Sequence, residues 1–261
     1  MIRSVLSLLA VALCLGCFVL VTDGTSLPTA RRTADPVRSA TPPMRILMIG
    51  DSLSAGPFGE FVQQHLAQKF GPQSVAAYAS CGSSPENWLA SESDFYTKCG
   101  YRESTPDNLP VYRDFVNGKA PKPSLTPKIE NLVKRYRPTV VVVQLGTNWM
   151  DRHLSDEQIA SLLHRFIVAA RGAGGVSQII WIAPPDSSAF AKLQGRIHRL
   201  IQLGAARDNF EVIDSRQLTH YIPGKTGGDG IHYNTEASRA WAARINASLD
   251  AKLRVRVANA R

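Results

Sequence analysis

Cysteine is scarce in this 261-residue chain, four residues in all, and no Cys/His cluster with metal-ligand spacing is present. That excludes a zinc-finger architecture, and no metal is expected. A Walker loop and a G-x-G-x-x-G turn are also missing, which removes the commonest phosphate cradle and dinucleotide fingerprint, so no cofactor is expected. Aromatic residues make up only 8% of the chain, and Gly and Pro, at 19 and 16, stay near average usage, which excludes a collagen-like chain. With 44% hydrophobic residues the chain is not wholly disordered, and its length suffices for a real core in one large or two small domains. Charge is unbalanced: 30 Lys and Arg against 21 Asp and Glu give +9, scattered except for a mild cluster at Lys252, Arg254, Arg256 and Arg261. No helix-turn-helix or RNA-binding signature accompanies it, so it is read as solubility or weak attraction to anionic surfaces and no nucleic-acid partner is expected.

Long apolar runs are limited to one, residues 5–21, directly after Met1, Ile2 and Arg3. As a helix, such a run would span about 25 Å, slightly short of the roughly 30 Å hydrocarbon core, which fits a signal peptide or a short anchor. No Ala-x-Ala cleavage site follows it. Arg3 on the positive-inside side would send the rest of the chain out of the cytoplasm, so a periplasmic or other extracytoplasmic location is expected, with membrane contact through this segment. Leu15-Gly16-Cys17 invites acylation at Cys17, but Cys14 stands where such sites usually carry Leu and the apolar run continues through Val21. Two small residues in a hydrophobic helix are the favoured reading. Residues 22–43, rich in Thr, Ala, Pro and Arg without apolar period, read as a linker, and 44–261 as the functional domain.

Within that domain, residues 44–49 (MRILMI) read as a buried strand, 58–70 as a helix, 75–79 as a strand and 129–136 as a helix. Residues 139–145 (TVVVVQL) form the clearest buried strand, dominated by β-branched residues. A helix over 156–171, a strand over 178–182, a helix over 190–207, a strand over 211–213 and a helix over 235–253 complete the alternation. Near-continuous apolar strands between helices predict a three-layer α/β/α fold with a five-stranded parallel sheet in the flavodoxin-like order 2-1-3-4-5. Ligand sites in such sheets lie at the strand carboxyl ends. Residues 81–126 break the alternation. So long a segment serves a site or a lid, or holds short elements without a periodic signal.

Gly50-Asp51-Ser52-Leu53 follows the first strand directly, placing Ser52 on a strand-to-helix turn, where an exposed nucleophile belongs and where a helix N-cap is equally at home. A serine needs a base, and Asp229-Gly230-Ile231-His232 precedes the last helix in a Gly-rich loop. His232 can accept the hydroxyl proton and Asp229 can fix its tautomer; alternatively the two residues cap the turn and the helix. Gly146-Thr147-Asn148 follows the TVVVVQL strand, and an Asn amide can donate to an oxyanion. Cys81-Gly82-Ser83 follows the second strand, and Gly82 lets backbone approach a ligand.

Together, Gly50-Asp51-Ser52-Leu53, Gly82, Gly146-Thr147-Asn148 and Asp229-Gly230-Ile231-His232, in that order, resemble the four blocks of the SGNH (GDSL) hydrolase superfamily. The resemblance implies Ser52 as nucleophile, His232 as base, Asp229 as its orienting acid, and an oxyanion hole made by the Ser52 N–H, the Gly82 N–H and the Asn148 amide. Trp149 stands where many members carry Asp, which implies a different subsite beside Asn148. His153 lies close enough in sequence to reach substrate there. Trp88, Phe95, Tyr96, Tyr101 and Tyr112 form either a sugar-stacking platform or the packing of a long insertion. His65, His164 and His198 fall in expected helices and read as surface or core-edge residues.

The reaction implied is O-acyl ester cleavage, foremost of O-acetyl groups on an extracytoplasmic glycan, through an acyl-enzyme. Lipid or aryl esters, acyl transfer to a sugar hydroxyl, and a catalytically silent glycan-binding protein of the same fold are the alternatives. Nothing in the sequence sets the oligomeric state. Cys81 and Cys99 are the only cysteines outside the apolar run, and in an oxidising compartment they are expected to form a disulfide rather than remain free thiols.

Overall fold

The computed structural model describes residues 43–172 and 175–259. The expected targeting segment (1–21), the linker up to residue 42 and the Cys17 acylation site lie outside the described residues. From β1 (Ile46–Gly50) the chain enters a short helix α1 (Ser52–Ala55), then α2 (Pro57–Phe70) and β2 (Val75–Ser80). The next segment holds a 3-10 turn at Pro85–Trp88 and four short strands: β3 (Tyr96–Thr97), β4 (Tyr101–Thr105), β5 (Asn108–Arg113) and β6 (Ser124–Leu125). Regular alternation resumes with α3 (Ile129–Tyr136), β7 (Val140–Gln144), α4 (Asp156–Arg171) and β8 (Gln178–Ile182). It ends with α5 (Gln194–Asp208), β9 (Glu211–Ile213) and α6 (Thr235–Asn259).

The main sheet runs β5-β4-β2-β1-β7-β8-β9. Its parallel part, β2-β1-β7-β8-β9, has the expected 2-1-3-4-5 order, but the sheet has seven strands rather than five. The two additional strands come from the 81–126 segment: β4 pairs antiparallel with β2, Ala77 opposite Ser104, and β5 pairs antiparallel with β4. Strand β5 is an exposed edge containing Pro110, whose missing N–H is tolerated only at such a position. Arg102 fastens the hairpin to the body, donating to the Ala55 carbonyl (3.2 Å) and pairing with Glu60 (3.3 Å). A separate two-stranded sheet joins β3 to β6.

Burial on both faces explains why the strands read as unbroken apolar runs. Leu47, Ile49, Val141 and Val143 face one side, where Ile129, Leu163, Phe166 and Ile201 of α3, α4 and α5 cover them. Ile46, Met48, Val140 and Val142 face the other, against Phe58, Val62 and Leu66 of α2 and Ile245 and Leu249 of α6. Each such side chain contributes roughly 1.5–3 kcal/mol on leaving water. Phe58 stacks on Trp241 at 3.5 Å between ring centroids, locking α2 to α6.

Helix boundaries follow capping chemistry. Ser155 and Gln158 form a reciprocal capping box that starts α4. Helix α5 starts at Gln194, four residues later than expected, because the Ser187 hydroxyl takes the Phe190 N–H (3.2 Å) and Gln194 reaches back to the Ser187 N–H (3.1 Å).

Candidate active site

At the carboxyl end of β1 the chain must turn sharply, and Gly50 permits it: a Cβ there would lie 2.2 Å from the Ser54 Cβ. Asp51 then caps α1, its Oδ1 accepting the Leu53 N–H at 3.0 Å. Because Asp51 fills the cap, Ser52 opens the helix with its hydroxyl directed elsewhere. The Ser52 Oγ lies 2.9 Å from His232 Nε2. His232 comes from the loop before α6, whose cap is Asn234, accepting the Ala237 N–H at 3.0 Å. The loop is pinned from beneath, since the Gly230 carbonyl accepts from the Ser187 hydroxyl (2.6 Å) and the Ala189 N–H (3.2 Å).

Asp229 both builds the turn and faces the imidazole. Its Oδ1 accepts the N–H groups of Ile231 (2.9 Å) and His232 (2.8 Å), and its Oδ2 lies 2.5 Å from His232 Nδ1. Burial would raise this carboxyl, but the bonds from the His232 ring and from the two backbone N–H groups outweigh it and hold the pKa down to about 2. An ionised carboxylate can only accept, so Nδ1 carries the ring proton and Nε2 presents its lone pair to Ser52. The His232 and Asp229 side chains are 47% and 53% exposed, so the array opens to solvent and to large ligands. A hydroxyl, imidazole and carboxylate in this sequence can generate an alkoxide-like nucleophile.

Two further loops reach the same sheet edge. Gly82, just past β2, has φ +79°, and its N–H and that of Ser52 donate to no acceptor among the described residues. Asn148, past β7, uses one amide hydrogen on the Ser83 carbonyl (2.8 Å), which ties the two loops together, and its second has no partner among the described residues. Cys81 and Cys99 are joined by a disulfide.

The GDSL-like lipase/acylhydrolase family model matches residues 46–245. The chain belongs to that family. It is a GDSL-type ester hydrolase. Protein BcsX of Komagataeibacter xylinus is 26% identical over 211 residues, 76% of this chain and 73% of that protein. A peptidoglycan O-acetylesterase shares the fold with TM-score 0.55 and 12% identity, covering 81% of this chain and 92% of its own. So does the acetylxylan esterase Axe2 from Geobacillus stearothermophilus, solved as a catalytic mutant, with TM-score 0.51 and 14% identity over 77% and 91% of the two chains.

Two of the residues expected to touch substrate in this GDSL enzyme do not reach solvent. Trp149 is fully buried in the 3-10 turn at Thr147–Trp149, its Nε1 donating to Glu86 Oε2 at 3.0 Å. Trp88 is likewise fully buried and donates to the Ser83 hydroxyl at 3.1 Å. Both indoles are core pieces beneath the loops, not ligand platforms. His153 is exposed but does not line the cleft at Ser52. Tyr101 is buried, whereas Tyr96 and Tyr112 are exposed, with the Arg102 guanidinium 4.4 Å from the Tyr112 ring. His198, expected at the surface or core edge, is buried, with Nε2 2.8 Å from the Pro184 carbonyl oxygen.

A cleft of about 330 Å³ does open beside Ser52 and His232. Its far wall is Arg113, Asp114 and Phe115, at the end of β5. No periodic pattern marks these residues in the sequence. Beneath the nucleophile lies a second unheralded feature, the wholly buried Asp51. Burial pushes its carboxyl up to about 7 despite the Leu53 N–H, the His232 charge and the nearby Thr147 and Gln144 side chains, all of which favour the ionised form.

Proposed function

We propose that this ester hydrolase removes O-acyl groups, foremost O-acetyl, from an extracytoplasmic glycan, using Ser52, His232 and Asp229. The single observation that carries the chemistry is the continuous array of Ser52 Oγ, His232 Nε2 at 2.9 Å, and Asp229 Oδ2 at 2.5 Å from Nδ1. Ser52 Oγ bonds to the ester carbonyl carbon while His232 Nε2 takes its proton. The N–H groups of Ser52 and Gly82 and the Asn148 amide receive the developing negative charge. His232 returns the proton to the departing alcohol as the C–O bond breaks, leaving an acyl group on Ser52. Water, deprotonated by His232, then bonds to the acyl carbon, and His232 returns that proton to Ser52 Oγ as its bond to the acyl group breaks and the acid leaves.

Export is supported by the apolar run at 5–21 and by the Cys81–Cys99 disulfide, a bond that persists in oxidising compartments. The glycan is supported by the two acetylesterases that share the fold and by the half-exposed His232 and Asp229, which leave room for a bulky alcohol. The deciding experiment measures acid release from chemically acetylated oligosaccharides against long-chain p-nitrophenyl esters, with Ser52→Ala as control. Preference for acetylated sugars, abolished in the variant, is the expected result. Preference for long acyl chains would assign the enzyme to lipid esters instead.

A further inference from the structure

We propose that Phe115, with Arg113 and Asp114, forms a subsite for a sugar ring on the alcohol side of the scissile ester. The inference rests on the glycan reading above and specifies where the glycan binds. The cleft beside the nucleophile touches Ser52, His232 and Tyr233 on one wall and Arg113, Asp114 and Phe115 on the other, and it touches neither Gly82 nor Asn148. An ester oxygen that faces Gly82 and Asn148 therefore leaves this cleft to the departing alcohol, whose oxygen must come within reach of His232 Nε2.

The wall is built to hold shape. A Cβ added at Gly100 would lie 3.8 Å from the Arg113 carbonyl oxygen and 3.9 Å from the Ala55 Cβ, so the end of β5 and the end of α1 flank the same glycine. Arg113 is fixed by Nη1 donating to the Ser124 hydroxyl (2.7 Å), and the Asp114 carboxylate accepts the Phe115 N–H (2.7 Å). Immediately after it, Val116 and Lys119 exchange two backbone bonds of 3.0 Å across an Asn117-Gly118 turn with positive φ at both residues. Phe115 thus stands immediately before a closed tight turn, with 52% of its surface left open among the described residues.

Ligand chemistry follows from the mixture. A pyranose offers an apolar C–H face to the Phe115 ring and vicinal hydroxyls to the planar guanidinium and carboxylate of Arg113 and Asp114. An alkyl chain would strip water from both charges and return no hydrogen bond. The volume stands near the lower limit of small-molecule sites, roughly 300–1,000 Å³, which suits one ring better than a long chain.

The test compares Phe115→Ala with the wild-type chain on acetylated xylo-, cello- and chito-oligosaccharides and on ethyl acetate, whose ethanol is too small to fill the subsite. Expected is a rise in KM of about tenfold on the sugar esters, kcat/KM on ethyl acetate unchanged, and recovery in Phe115→Trp. Equal sugar-ester kinetics in wild type and Phe115→Ala overturn the subsite while leaving the glycan reading intact. Equal losses on sugar ester and ethyl acetate overturn it too, because Phe115 then acts through the fold. A wild-type enzyme that cleaves ethyl acetate but no acetylated sugar overturns both readings.

Discussion

Trp149 donates its indole N–H to Glu86 Oε2 at 3.0 Å, and so joins the turn that carries Asn148 to the 3-10 turn that follows Gly82. Arg152 pairs with the same Glu86, so a single carboxylate holds both loops. The aromatic side chain next to Asn148 is therefore a brace for the site's floor. Trp149→Ala should destabilise the domain by about 3–5 kcal/mol, the usual loss for a buried aromatic. Thermal unfolding checks it, and ester preference of the folded fraction should stay as in wild type; an altered preference with unchanged stability would contradict the assignment.

In the proposed mechanism Asn148 donates to the oxyanion in addition to its bond to the Ser83 carbonyl. Asn148→Ala removes an oxyanion donor and is expected to lower kcat by about 100 to 1,000-fold with little change in KM. It also leaves the buried Ser83 carbonyl unpaired, a cost of about 1–3 kcal/mol visible in the denaturation midpoint. A variant with a raised KM and normal kcat would refute the oxyanion role.

Much of this architecture was legible in the sequence because both faces of the sheet are covered. Val140 to Val143 are all buried, and a run of β-branched residues has few alternatives to an interior strand. The β4–β5 hairpin was not legible: β5 is an exposed edge with charged and polar residues and a proline, so it carries neither alternation nor an apolar run. Arg113, Asp114 and Phe115 inherit that obscurity, since only the hairpin's pairing brings them to Ser52. Three of the four motif blocks directly follow β1, β2 and β7 and so lie at one sheet edge, whereas Asp229–His232 follows no strand and reaches that edge from the loop before α6. The inward rotation of Trp149 depends on a single 3-10 turn, which local sequence does not specify.

Asp51 predicts a distinctive pH dependence. Its folded pKa, about 7, lies above the ordinary 3.8, so the folded state binds this proton more tightly than the unfolded chain. Its contribution to stability is complete below the unfolded value and is lost as pH rises through the folded one. Asp51→Asn keeps a capping oxygen for the Leu53 N–H and removes the titration. The variant should gain stability relative to wild type between about pH 4 and 7, with the difference levelling off above that range. A difference that is flat across the range would show that Asp51 is ionised throughout.

Cys81 adjoins Gly82, and the disulfide forms part of the wall of the cleft. Closing this loop stabilises the fold by about 3 kcal/mol in the chain-entropy model. Reduction with a mild thiol should lower ester turnover before circular dichroism shows any loss of the sheet, because the Gly82 turn is tethered by the bond and the parallel strands are not. Simultaneous loss of both signals would mean that the bond supports the whole domain.

The central claim is that Ser52 is the nucleophile, and covalent labelling tests it most directly. A fluorophosphonate probe followed by peptide mapping should place a single adduct on Ser52. Labelling should be absent in Ser52→Ala and strongly slowed in His232→Ala, since the imidazole 2.9 Å away must take the serine proton. An adduct on another residue, or undiminished ester turnover in Ser52→Ala, would contradict the account.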